Sequence, residues 1–229
     1  MSKCKVIVVA TPRPATGKTY VAALVAHLLK SVRLDVGLVA TTDAIFEAEA
    51  ELSAHFDGFD PLTFAYNPPS CSIASVVPAA VLVSVVKAQK LTKQIVVVDG
   101  SGMETHQFVG ALGSGDLVIA PCRVNRVDFQ AAIALQDELK WRQGVKVFRL
   151  LNFLTDFTLL ARSPRLLEII QSDKIEDVGT GFGDHFAIWN ALESVKQLEV
   201  RLHHMLNRSD IRSLMQHIES EIEVPLFDW

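Results

Sequence analysis

Apolar residues along this chain follow two alternating patterns. Mainly apolar runs at residues 4–10, 35–40, 94–99, 117–121 and 145–153 read as strands. Their continuity, in place of in-out alternation, is what parallel strands covered on both faces require. Between them apolar positions recur at helical spacing: Val21, Leu24, Val25, Leu28 and Leu29 within 20–30; Val81, Leu82, Val85 and Val86 within 78–90; Phe129, Ala132, Ile133, Leu135 and Leu139 within 128–141. Strand and helix in alternation predict an α/β protein of three layers, a mostly parallel central sheet flanked by helices. At 229 residues, 49% of them apolar, the chain is expected to be one domain, 1–229, able to bury a large core.

The pattern weakens in two places. Residues 56–78 are rich in Asp, Pro, Asn and Ser and read as loop, with a short edge strand at 62–66. After residue 153, Ser163-Pro164 has the order of a helix start, leading through Leu166, Leu167 and Ile170, and residues 180–184 form a loop ahead of another helix. Arg201, His204, Arg208 and Arg212 would share one face of a continuous helix. However, Leu198, Leu202 and Leu206 fall out of phase with Ile211, Leu214, Ile218 and Ile222. Two helices meeting at a bend account for that change and split the basic stripe into smaller patches, to which Arg162 and Arg165 add.

The first helical pattern is entered through Ala10-Thr-Pro-Arg-Pro-Ala-Thr-Gly-Lys-Thr19, directly after an apolar strand. In a phosphate-binding loop, backbone N–H groups at a helix start cradle phosphate oxygens, a lysine adds a point charge and a hydroxyl holds magnesium. Gly17, Lys18 and Thr19 fill the last three positions of the pattern GxxxxGKS/T, and Pro12 replaces its first glycine. A plain surface turn is the alternative, against which the flanking strand and helix argue. Asp99 ends an apolar strand at the tip where open parallel sheets place ligands. A carboxylate there needs a partner or a cation, so either magnesium, reached through a water, or a structural hydrogen bond explains it. Gly100 and Gly102 let the backbone approach a phosphate and move when it leaves. His106 reads as a surface or capping residue.

Charge and cysteines narrow the picture. The net charge of −4 gives no general attraction to nucleic acid, so a DNA contact requires a local basic patch. Cys4, Cys71 and Cys122 are odd in number and widely spaced, which indicates neither a disulfide framework nor a zinc site and agrees with a reducing cytoplasm. The apolar run before the loop is too short for a signal peptide.

Residues 12–19 resemble the variant loop KGGxGKS/T of the ParA/MinD family of P-loop ATPases, with Arg13 in place of the signature lysine. Ile95-Val-Val-Val-Asp99-Gly-Ser-Gly102, followed by residues 116–121 and 127–132, is similar to the family's Walker B strand, second switch, and next strand and helix, in family order and spacing. The likeness is clear over residues 4–153 and is nearest to small plasmid-partition proteins. It implies ATP and Mg2+ as ligands. Arg13, Ala15, Thr16, Gly17, Lys18, Thr19 and Tyr20 would contact the nucleotide. Asn152, at the end of the fifth strand, would read the adenine edge with an amide that donates and accepts, unless it is a simple turn residue. Thr19 and Asp99 would hold the metal, Lys18 would stabilise phosphate charge, and Arg13 would reach the nucleotide of the other subunit in an ATP-dependent homodimer.

Departures from the family pattern qualify this. Pro14 offers no N–H and Ala15 resists positive φ where the family has two glycines, so fewer or differently placed phosphate contacts are expected. Ala40 and Thr42 align with the aspartates of the family's first switch. Asp43, one residue on, would position the attacking water; the competing reading makes Thr42 or Asp43 the N-cap of a helix beginning at Ala44. Slow or partner-dependent hydrolysis follows. The resemblance thus implies a cytoplasmic, nucleoid-associated switch without membrane contact. It would bind DNA non-specifically through patches at Arg162, Arg165, Arg201, Arg208 and Arg212, and answer to a ParB-like or adaptor protein. Its cargo would be a plasmid, a chromosome region or another assembly. A hydrolysis-deficient nucleotide-binding or dimerisation module, and a metabolic P-loop ligase of the dethiobiotin-synthetase kind, remain as alternatives.

Overall fold

The computed structural model describes residues 4–32, 34–55, 73–123, 126–141, 144–152, 215, 218–220 and 222. Its strands are β1 (Lys5–Val9), β2 (Val36–Ala40), β3 (Ala74–Val76), β4 (Ile95–Asp99), β5 (Leu117–Arg123) and β6 (Lys146–Asn152). The helices are α1 (Lys18–Ser31), α2 (Ala44–His55), α3 (Ala79–Gln89), the single turn α4 (Thr105–Phe108) and α5 (Arg126–Leu139). Strand order is β3-β2-β4-β1-β5-β6, and every pairing among the described residues is parallel.

Residue parity explains the apolar runs. Ile7 and Val9 of β1 face the core under α1 and α2, together with Ile95 and Val97 of β4 and Leu117 and Ile119 of β5. Their neighbours Val6, Val8, Val96, Val98, Val118 and Ala120 face the opposite core, under α3, α4 and α5. The central strands therefore have no solvent side, and both parities must be apolar. Met215, Ile218 and Ile222, in helical conformation, are buried in the core on the α1 side.

The structure departs from the sequence pattern at β3, which lies in a stretch read as loop. It has three half-buried residues paired with Leu38, Val39 and Ala40 of β2, too few to register as an apolar run before Pro78 interrupts. The expected edge strand at 62–66 lies outside the described residues.

Polar ties close the N-terminal end of the sheet. Buried Asp116 accepts the N–H groups of Val6 (2.9 Å) and Gly113 (2.7 Å) and the Lys90 ammonium (3.2 Å). Lys93 pairs with Asp35 at 2.8 Å in a partly exposed contact. Behind α1, His27 Nε2 lies 3.2 Å from Glu49 Oε1, both buried; Glu49 also accepts the Ile73 N–H that leads into β3. Cys4 and Cys122 are buried, and burial pushes the Cys4 thiol up. Among the described residues no helix is long and apolar enough to cross a membrane.

Candidate nucleotide site

β1 and β4 are neighbours with Val9 opposite Asp99, so the loop leaves the sheet beside that carboxylate. The contact is tight. Gly100 N–H donates to the Val9 carbonyl at 2.9 Å, and a Cβ on Gly100 would stand 2.8 Å from both Val9 O and Ala10 Cβ, so only glycine is accommodated. The loop then turns through two left-handed residues, Ala15 at φ 55° and Gly17 at φ 80°. Ala15 thus adopts the conformation it was expected to resist, at a cost of about 1–2 kcal/mol for a residue with a Cβ. Contacts inside the loop hold it there. Buried Lys18 turns back so that Nζ donates to the Arg13 carbonyl at 2.6 Å, and the Thr16 hydroxyl reaches the same oxygen at 3.5 Å.

Helix α1 begins at Lys18 with Gly17 as its cap, without a side-chain capping bond and without an acidic residue in its first turn. The positive end of the helix dipole is thereby left uncancelled by local carboxylates, which is the electrostatic requirement for an anion site.

The metal side is built around Ser101. Asp99, 1% exposed, accepts the Ser101 N–H on Oδ1 at 2.9 Å, while its Oδ2 is buried without a hydrogen-bond partner in the protein. Thr19 Oγ1 lies 2.8 Å from Ser101 Oγ, and Thr41 Oγ1 donates to the Ser101 carbonyl at 3.3 Å. An unpaired oxygen on a buried carboxylate is costly, and a cation or its water beside it removes that cost. A single carboxylate and a hydroxyl suit Mg2+, which usually keeps waters and takes substrate phosphates in place of a protein cage. Among the described residues there is indeed no group of three His, Cys, Asp or Glu able to form such a cage. The residues therefore fit the metal.

The remaining expected residues are distributed as follows. Arg13 is 42% exposed and pairs through Nε with Oδ1 of fully buried Asp128 on α5, at 3.3 Å. Tyr20 packs partly buried against the α1 core. Asp43 is exposed immediately before α2, and Thr41 is the residue of this turn that bonds to the site. Asn152 ends β6 opposite Arg123, at the loop end of the sheet. His106 is 74% exposed and lies 3.2 Å from Glu104, as a surface residue would. Arg162, Arg165, Arg201, Arg208 and Arg212 lie outside the described residues. Sequence reasoning missed Ser101, Thr41 and Asp128. The signal for the first two is a hydroxyl residue just past the tip of an apolar strand; nothing marks Asp128 as the partner of Arg13. A cleft of about 380 Å³ adjoins the loop, between Thr11 and Pro12, residues 103–106, and Leu135 and Glu138 of α5.

A parallel sheet with a phosphate-type loop after β1 and a carboxylate at the tip of adjacent β4 defines the fold of the P-loop nucleoside triphosphatases. The same architecture is found in solved structures of ParA/MinD-type ATPases. The chain is similar to the MinD cell division protein of Aquifex aeolicus (TM-score 0.61, 13% identity, covering 94% of this chain and 97% of that one). It is also similar to a Cyanothece McdA variant in complex with ATP (0.60, 14%, 95% and 97%) and to pNOB8 ParA bound to non-specific DNA (0.51, 13%, 95% and 99%). No family model and no curated protein sequence matches the chain.

Proposed function

We propose that the chain is a ParA-type switch that binds ATP with Mg2+, dimerises with nucleotide between the subunits, and in that state binds DNA non-specifically and positions a cargo. A ParB-like or adaptor protein would stimulate hydrolysis and release it. The observation that carries this reading is the buried, partnerless Oδ2 of Asp99 held in register beside the loop that opens α1. Bound Mg2+ would neutralise charge on the β- and γ-phosphates. Thr19 and Asp99 would hold it, and Lys18 would exchange the Arg13 carbonyl for a phosphate oxygen. Gly100 and Gly102 let the segment after Asp99 follow the γ-phosphate. Arg13 would serve the partner subunit's nucleotide after leaving Asp128. The DNA and partner-protein roles draw support from similar solved structures of ParA on non-specific DNA and of a MinC:MinD complex.

Sedimentation with ATP, with ADP and without nucleotide tests the reading. A dimer seen only with ATP and lost in Lys18→Ala supports it; absence of ATP binding in equilibrium dialysis overturns it. A second reading, a nucleotide-dependent dimer without turnover, is favoured by the first switch reaching the site through the Thr41 hydroxyl and not through a carboxylate. An ATP-dependent dimer that releases no phosphate, with or without DNA, selects it.

A further inference from the structure

We propose that Ser101 is the positioning residue of the metal subsite: its hydroxyl oxygen accepts a hydrogen bond from the Thr19 O–H and so turns a Thr19 lone pair toward the cation. This rests on the nucleotide reading above. Three segments distant in sequence meet at this one residue. Its hydroxyl lies 2.8 Å from Thr19 Oγ1 at the start of α1, its N–H donates to Asp99 Oδ1 at 2.9 Å, and its carbonyl accepts the Thr41 hydroxyl at 3.3 Å.

A hydroxyl that ligates a cation offers a lone pair and needs somewhere to place its proton. Groups behind a metal ligand commonly set its orientation in this way. The hydroxyl beside Thr19 is that of Ser101, while Asp99 Oδ1 accepts the Ser101 N–H and Oδ2 has no hydrogen-bond partner in the protein. With Ser101 Oγ accepting the Thr19 O–H, both lone pairs of Oδ2 stay available to the cation or its water. The Thr41 bond adds a second consequence, because any displacement of Ser101 when nucleotide enters is passed to the turn after β2, where the first switch begins.

The test titrates Mg2+ against binding of a fluorescent ATP analogue, for wild type, Ser101→Ala and Ser101→Thr. An EDTA series supplies the metal-free baseline, and melting temperature controls for folding. The expected result is that Ser101→Ala raises the Mg2+ concentration required by about 10–100-fold, leaving metal-free affinity and melting unchanged, and that Ser101→Thr restores the wild-type response. Equal Mg2+ dependence in wild type and Ser101→Ala overturns the role of Ser101 and leaves the nucleotide reading standing. A loss of affinity in Ser101→Ala that is the same with and without metal also overturns it. Wild-type protein that binds no analogue at any Mg2+ concentration overturns both.

Discussion

Two buried aspartates stand at opposite ends of the central sheet and are treated in opposite ways. Asp116, just before β5, has two backbone N–H groups and the Lys90 ammonium for its oxygens. Asp99, at the tip of β4, has one N–H and an oxygen with no partner. In sequence both are simply carboxylates bordering an apolar run. In the fold one is a clamp whose charge is consumed internally, and the other keeps one oxygen without a hydrogen-bond partner. Native proteins leave few buried polar atoms unsatisfied, so each exception calls for a cause. Among the described residues three such side-chain atoms occur. Two of them, Thr11 Oγ1 and Asp99 Oδ2, flank the phosphate-type loop, which also contains the left-handed Ala15.

The contrast predicts a ranked series of effects. Asp116→Ala leaves Lys90 and two backbone donors without their acceptor and should destabilise the fold by about 3–5 kcal/mol in denaturant unfolding. Asp99→Asn should cost under about 1 kcal/mol in the same experiment, since it removes a buried charge that the protein only half satisfies; a loss as large as that at position 116 breaks the comparison. Next, Lys18→Ala should lower ATP affinity in equilibrium dialysis by roughly 10–150-fold, the worth of a hydrogen bond to a charged group. Asp116→Asn, by contrast, should leave the affinity of the folded protein unchanged. Asp99→Asn should raise the Mg2+ concentration needed for nucleotide binding by about tenfold or more, and an unchanged requirement removes the carboxylate from the metal. Smallest of all, Ala15→Gly should stabilise the protein by about 0.5–1 kcal/mol, because relief of the Cβ penalty outweighs the added flexibility of glycine. A lower unfolding midpoint would show that the left-handed turn carries no strain.

Most of the architecture was legible because the apolar runs are long and covered on both faces. The five apolar runs at 4–10, 35–40, 94–99, 117–121 and 145–153 reappear within a residue or two as β1, β2, β4, β5 and β6. What escaped was short or depended on partners distant in the chain. β3 has three residues and acquires its identity only from pairing with β2. Glu49 is buried against His27, a pairing that no local pattern contains. At the site, Gly17, Lys18, Thr19 and Asp99 were marked by a motif and a strand end. Ser101 and Thr41 were not, because their importance lies in bonds that join segments 60 or more residues apart.

The loop itself has a last consequence. Pro12 and Pro14 have fixed φ, and Ala15 occupies the left-handed well. A segment so constrained has little conformational entropy to surrender when a ligand settles in it. In the proposed switch, selectivity would then rest on shape: a phosphate chain that matches the preset curve would enter at small ordering cost, and an anion of another size would meet a rim too stiff to bend around it.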